Sequence, residues 1–238
     1  MKMFVPSLTL LLFVSVAAVP AVPSGEKAGK LYKDSWHLRD NSAESRWHWS
    51  GAATLDDKGK LIFNNDEIAC PEIVNTSKDG GCDTYTFKEF ADCRVEIEVL
   101  VPKGSRSGIL LMGRYEILLA ESSGVKDPGL TDMGAIANVA IPKVNACKKL
   151  GDWQKFVIDF QAPRFDGKKK IANAIFHKVL LNGELIHEKI ELTKGSTDGG
   201  KGGPLGYTLG EEAATGPLML KGNGGPMAFR NLRITTKK

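Results

Sequence analysis

The sequence predicts an all-β protein, a sandwich of two antiparallel sheets, and three observations carry that expectation. From Cys93 to Val101, residues Cys93, Val95, Ile97, Val99 and Val101 share one side while Arg94, Glu96 and Glu98 share the other, the period of a half-buried strand. Asn182-Gly183 separates residues 171–181 from 184–191, and Asn-Gly accepts positive φ at both central turn positions, so two strands fold back as a hairpin. No segment sustains a 3.6-residue apolar period, which leaves short strands and turns to build the core.

Taken in order, residues 1 to 21 read as a secretory signal. Lys2 gives the positive start, Phe4 to Val16 the apolar run and Val16-Ala17-Ala18 the small-residue cleavage site, with cleavage after Ala18 preferred to Ala21. The run falls short of the roughly 20 residues that a membrane span needs. The expected organisation is therefore a signal over 1–18, a flexible lead-in over 19–30 and one sandwich domain over 31–238, secreted and without a membrane association once the signal is cleaved. Trp36, Trp47 and Trp49 stand at a sandwich rim, where they plug the core or stack on sugar rings, and plugging is the favoured reading. Asp56-Asp57-Lys58-Gly59 is a turn before a short strand at Lys60 to Asn64. Phe156, Ile158 and Phe160 alternate after Trp153. Between Leu192 and Gly216 glycines dissolve the pattern, as in a mobile flap or a disordered loop.

The chain has 238 residues, 42% hydrophobic and 25% charged, with a net charge of +4. That size suits one large β domain as well as two small ones, and that charge is too small for a nucleic-acid partner, which would need a clustered basic face. Lys168-Lys169-Lys170 is a solvated turn. Cys70, Cys82, Cys93 and Cys147 allow three disulfide pairings. Cys70–Cys82 and Cys93–Cys147 are preferred, because the first closes a polar loop and the second ties a strand to the segment before Trp153. Asn75-Thr76-Ser77 is a glycosylation sequon.

The inventory excludes several chemistries. There is no Gly-x-Ser-x-Gly elbow, no His-Glu-x-x-His, and no cysteine–histidine spacing for zinc. His177 and His187 flank the Asn-Gly turn and read as strand-surface histidines. Carboxylates are the better candidates. Glu116 and Glu121 would point to opposite faces of a regular strand, and a bulge between them would bring them to one face. Pairing of Glu116 with Arg114 is the rival, purely structural reading. Glu116, Glu121 and Asp132 also offer oxygen ligands to Ca²⁺, yet no loop has regular calcium-site spacing, so metal and cofactor stay open.

Arg106-Ser107-Gly108-Ile109-Leu110-Leu111-Met112-Gly113-Arg114-Tyr115-Glu116 is followed in order by Asp132-Met133-Gly134-Ala135-Ile136, Gly151-Asp152-Trp153-Gln154, Gly216-Pro217-Leu218 and Phe229-Arg230-Asn231-Leu232-Arg233-Ile234. This ordered set resembles the 3-keto-disaccharide hydrolase domain family, over roughly residues 84 to 235. The resemblance implies a concanavalin-like jelly-roll sandwich with a carbohydrate as substrate or ligand. A ketone at C3 acidifies the C2–H of a sugar. The family chemistry then needs a base for that proton, an electrophile at the ketone oxygen and an acid for the leaving group. By position, the resemblance makes Glu116 the base or a hydroxyl ligand and Arg114 the group that steadies the enolate. Asp132 is then a second carboxylate, and Glu121 stands where relatives commonly carry Asp. Relatives commonly show Gln-Asp-His-Gly where this chain has Lys221-Gly222-Asn223-Gly224. Leu118 replaces a Gln and Ala137 a Tyr. Those departures keep a second reading open, a lectin-like module that binds sugar without cleaving it.

Overall fold

The computed structural model describes residues 28–30, 36–38, 46–64, 72–78, 81–193 and 212–236. Every regular element among them is a strand. In chain order these are β1 (Ala28–Lys30), β2 (Trp36–Leu38), β3 (Trp47–Ser50), β4 (Ala53–Leu55), β5 (Leu61–Phe63), β6 (Glu72–Asn75), β7 (Thr84–Phe90), β8 (Cys93–Leu100) and β9 (Arg106–Leu111). There follow β10 (Tyr115–Ala120), β11 (Gln154–Gln161), β12 (Arg164–Asp166), β13 (Lys169–Ala172), β14 (Ala174–Leu181), β15 (Glu184–Leu192), β16 (Gly216–Leu220) and β17 (Met227–Thr236). An eight-stranded sheet runs β15-β14-β11-β8-β17-β6-β3 with β1 also on β17, and a five-stranded sheet runs β10-β9-β16-β7-β2. All pairings are antiparallel, and the sheets stack as a jelly-roll sandwich.

The alternation seen in the sequence builds the core. Val95, Ile97 and Val99 of β8 and Phe156, Ile158 and Phe160 of β11 face inward. They meet Ile109 and Leu111 of β9, Tyr115, Ile117 and Leu119 of β10, and Leu218 and Leu220 of β16. Each such fully buried side chain contributes roughly 1.5–3 kcal/mol. Asn182 and Gly183 take φ of 54° and 93° and close β14 onto β15 as expected. Asp56 caps its turn by accepting the N–H groups of Lys58 and Lys60. Trp47 packs into the core against Phe229, its indole N–H donating to the Cys82 carbonyl at 2.8 Å. Lys168 and Lys169 are exposed, whereas Lys170 reaches Glu212.

Three expectations need correction. Cys93 and Cys147 are not bonded, and no disulfide joins the described residues. Cys93 lies opposite Phe160 at one end of β8, while Cys147 sits by Gln154, which pairs with Val99 near the other end. Six residues of strand separate those positions by about 20 Å, far beyond disulfide reach. His187 is buried rather than on the surface, because a register shift next to Val179 sends Ile186 and His187 inward together. Asn75 is fully buried, and its amide donates to the carbonyls of Gly222 and Gly225, so the sequon has no accessible nitrogen in the folded protein. Cys70, the signal segment and the glycine-rich stretch 194–211 lie outside the described residues.

Candidate functional site

Cross-strand partners project to one side of a sheet. Across the five-stranded sheet, Glu116 of β10 lies opposite Leu110 of β9, Leu110 opposite Met219 of β16, and Met219 opposite Tyr85 of β7. These four belong to the face turned away from the core, since Tyr115, Ile117, Ile109 and Leu218 occupy the inner one. Residues Gly134 to Ala137 extend this sheet beyond β10. The Ala137 and Gly134 N–H groups donate to Glu116 and Leu118 carbonyls, and Leu118 N–H returns a bond to Ala135. The neighbouring row holds Leu118, Gly108 and Lys221, the last placed by its N–H bond to the Gly108 carbonyl.

Glu116 connects the two rows. Its carboxylate lies over Gly108 and accepts from Lys221 Nζ through both oxygens, at 2.9 and 3.0 Å. Gly108 is what makes the crossing possible: a Cβ there would stand 2.3 Å from Glu116 Oε1 and 2.9 Å from Cγ. The Glu116 side chain is 1% exposed and that of Lys221 is 23% exposed, so the carboxylate is the floor of the site and the ammonium its accessible part. A buried carboxylate of this kind persists only when paired and hydrogen-bonded.

The backbone on both sides of Lys221 is pinned. Ser107 Oγ donates to the Lys221 carbonyl at 2.8 Å, and Gly222 N–H donates to Asp83 Oδ1 at 2.9 Å. A Cβ on Gly222 would lie 1.8 Å from the Cys82 carbonyl oxygen, so glycine alone fits there. Asn223, just beyond, is exposed.

Glu121 and Asp132, also predicted for the site, are held in the loop after β10 rather than beside Glu116. The β9–β10 register runs without a shift from Tyr115 opposite Leu111 to Ala120 opposite Arg106, so the expected bulge between Glu116 and Glu121 is absent. Glu121 follows the strand end, and its carboxylate is taken up by the Ser123 N–H at 2.9 Å and by the Ser123 hydroxyl. Asp132 accepts from Gly129 N–H at 2.7 Å and from Ser122 Oγ at 3.1 Å, stapling the loop after β10. Burial first, then the charges of Glu121 and Asp132, push the Cys147 thiol up to about 12. Arg114 is buried in the turn that leads into β10, two residues before Glu116 and at the same end of the strand, where Met112 and Gly113 take φ of 56° and 61°. Burial first, then Glu212, raises the Tyr115 phenol far above its ordinary range, against the smaller opposing effect of the Arg114 charge. Among the described residues no three His, Cys, Asp or Glu side chains are placed to hold a metal ion.

His187 touches the site indirectly. Its Nε2 lies 2.8 Å from the Gly134 carbonyl, tying the eight-stranded sheet to the segment that flanks Glu116. Burial lowers the His187 pKa, partly offset by that bond, and Lys143 lowers it further, so the ring is neutral and Nε2 donates. Lys221 was missed by the sequence reading. Its only signal was the lysine standing where relatives commonly carry Gln.

The fold is shared with two crystal structures of provisionally assigned glycosyl hydrolases from Parabacteroides distasonis ATCC 8503. One is 21% identical, with a TM-score of 0.61 over 93% of this chain and 95% of its own. The second is 16% identical, with a TM-score of 0.51 over 89% and 100%. At such identities the likeness is one of fold. No curated protein sequence matches the chain. The family pattern described as the 3-keto-alpha-glucoside-1,2-lyase-like domain matches residues 29–235, and the chain belongs to that family.

Proposed function

We propose that this domain is a carbohydrate-active enzyme that opens the glycosidic bond of 3-keto-glycosides by removing the proton beside the ketone. The observation that carries the reading is the Glu116–Lys221 pair, a buried carboxylate whose two oxygens are both held by one ammonium on the outer face of the five-stranded sheet. A bound ketone oxygen draws the Lys221 ammonium toward itself, which frees a Glu116 oxygen to take the C2 proton. Charge developing on the ketone oxygen is stabilised by that ammonium. The glycosidic oxygen leaves from C1, protonated by Glu116 as it departs, and a C1=C2 enone remains to which water can add. Asp132 and Glu121 have loop-holding roles in this scheme, and Arg114 contributes positive potential from the turn. We further propose that the chain works outside the cytoplasm, on the strength of its N-terminal signal pattern.

Incubation with a 3-keto-disaccharide tests the reading. Release of the leaving monosaccharide is expected, and Glu116→Gln should lower the rate about 10²- to 10⁴-fold, the range for a lost general base. Full activity of that variant overturns it. The near-complete burial of Glu116 favours one rival, a lectin-like module, which predicts sugar binding by calorimetry with no turnover.

A further inference from the structure

We infer that Lys221 acts covalently, its Nζ forming a Schiff base with the C3 ketone of the bound sugar while Glu116 moves the protons. This rests on the 3-keto-glycoside reading and specifies how the same pair would work.

The geometry supplies what an amine nucleophile requires. Two hydrogen bonds already run from Nζ to the carboxylate, so a proton passes along one of them without rearrangement. Glu116 is buried, where a carboxylate is costly, and accepting that proton relieves the cost. The amine is the accessible member of the pair, with the Lys221 side chain 23% exposed against 1% for Glu116. The residues beside it on the sheet are mostly apolar, with Leu118 in its own row and Met219 and Tyr85 in the next. The lysine backbone is fixed by the Gly108 carbonyl and the Ser107 hydroxyl, and Nζ is placed by its two bonds to Glu116. An arginine would hold the carboxylate as well or better, but it does not give up a proton.

The steps balance. Neutral Nζ adds to C3, forming a C–N bond and breaking the C=O π bond to give a carbinolamine. The proton held by Glu116 goes to the carbinolamine oxygen, which leaves as water and yields an iminium ion. Glu116, again a carboxylate, removes the C2 proton, and the electron pair moves into the iminium as an enamine. That enamine expels the C1 glycosidic oxygen, which takes the proton back from Glu116. Water hydrolyses the conjugated iminium, releasing the enone and restoring Lys221. No oxidant or reductant enters.

Full-length protein incubated with a 3-keto-glucoside and cyanoborohydride, then digested for mass spectrometry, tests this. A reduced sugar adduct on the Lys221 peptide is expected. Lys221→Arg, which retains the charge and the carboxylate contact, should lose the adduct and about a hundredfold or more of turnover. Turnover with no adduct, or Lys221→Arg at full rate, overturns the covalent role and leaves the elimination reading standing. An adduct without cleavage supports the role of Lys221 and overturns the elimination. Absence of both adduct and cleavage in the unmodified protein overturns both.

Discussion

On the five-stranded sheet a lysine holds both oxygens of one glutamate. On the outer side of the eight-stranded sheet an arginine is shared by two. Arg230 Nε donates to Glu98 at 2.7 Å, its Nη1 stands 3.6 Å from Glu72, and its guanidinium lies 4.0 Å over the Trp153 ring. Glu72 is buried beside the small cluster of Ala53, Leu61, Val74, Leu100 and Ala228, and one of its carboxylate oxygens has no partner. A cavity of about 450 Å³ lies alongside, lined by Glu96, Glu98, Lys155, Asn231 and Arg233, where β17 makes a register shift. Both regions put a carboxylate and a cation on the outward side of a sheet, yet the cation differs. A planar, permanently charged guanidinium stacked on an indole is a fixed clamp. A lysine ammonium is a mobile point charge that can hand over its proton. The first arrangement suits architecture and the second suits chemistry.

That contrast is broken most sharply by Glu116→Gln, which should remove a hundredfold or more of turnover and leave the melting temperature close to that of the parent. Rate assay beside calorimetry checks both halves. Arg230→Met should do the reverse. Loss of hydrogen bonds to charged partners is expected to cost about 1.5–3 kcal/mol in urea denaturation, with turnover unchanged. Gly108→Ala should lower turnover about tenfold, because the new methyl displaces the Glu116 carboxylate from Lys221, and misplaced reacting groups are costly. Its stability should change less, since only side-chain atoms of Glu116 must move. The smallest effect is expected from Glu72→Gln. Burial raises the Glu72 pKa, against the Ala53 N–H and Arg230, so the folded protein binds that proton more tightly than the unfolded chain. The associated stabilisation is present at acid pH and is lost as the pH rises through the folded pKa. Glu72→Gln should therefore show no loss of stability at neutral pH, and a weaker decline between acid and neutral pH than its parent, measured by thermal melts across that range.

What was legible in the sequence was local. The alternation from Cys93 to Val101 and the Asn182-Gly183 turn specify their strands through neighbours a few residues apart, and β8, β14 and β15 form where those signals lie. Glu116 was legible as a charge within an apolar strand. Its partner was not, because the pair joins residues 105 apart through the order β10-β9-β16, which no local period encodes. Gly108 shows the same limit from the other side: a glycine inside a strand signals a close approach, but only the fold says that the visitor is Glu116. The grouping of Glu116 with Glu121 failed because an unbroken register keeps the parity of the strand. His187 was misread because one extra residue opposite Val179 and Leu180 reverses which side it faces.

In the proposed reaction Glu116 takes the proton from C2 of a 3-keto sugar with Lys221 at the ketone. This step is tested most directly with a 3-keto-glycoside carrying deuterium at C2. The label should be lost from C2 in the course of cleavage, with a primary isotope effect on the rate, and Glu116→Gln should abolish the loss. Cleavage that retains the deuterium at C2, or label loss undiminished in Glu116→Gln, would contradict it.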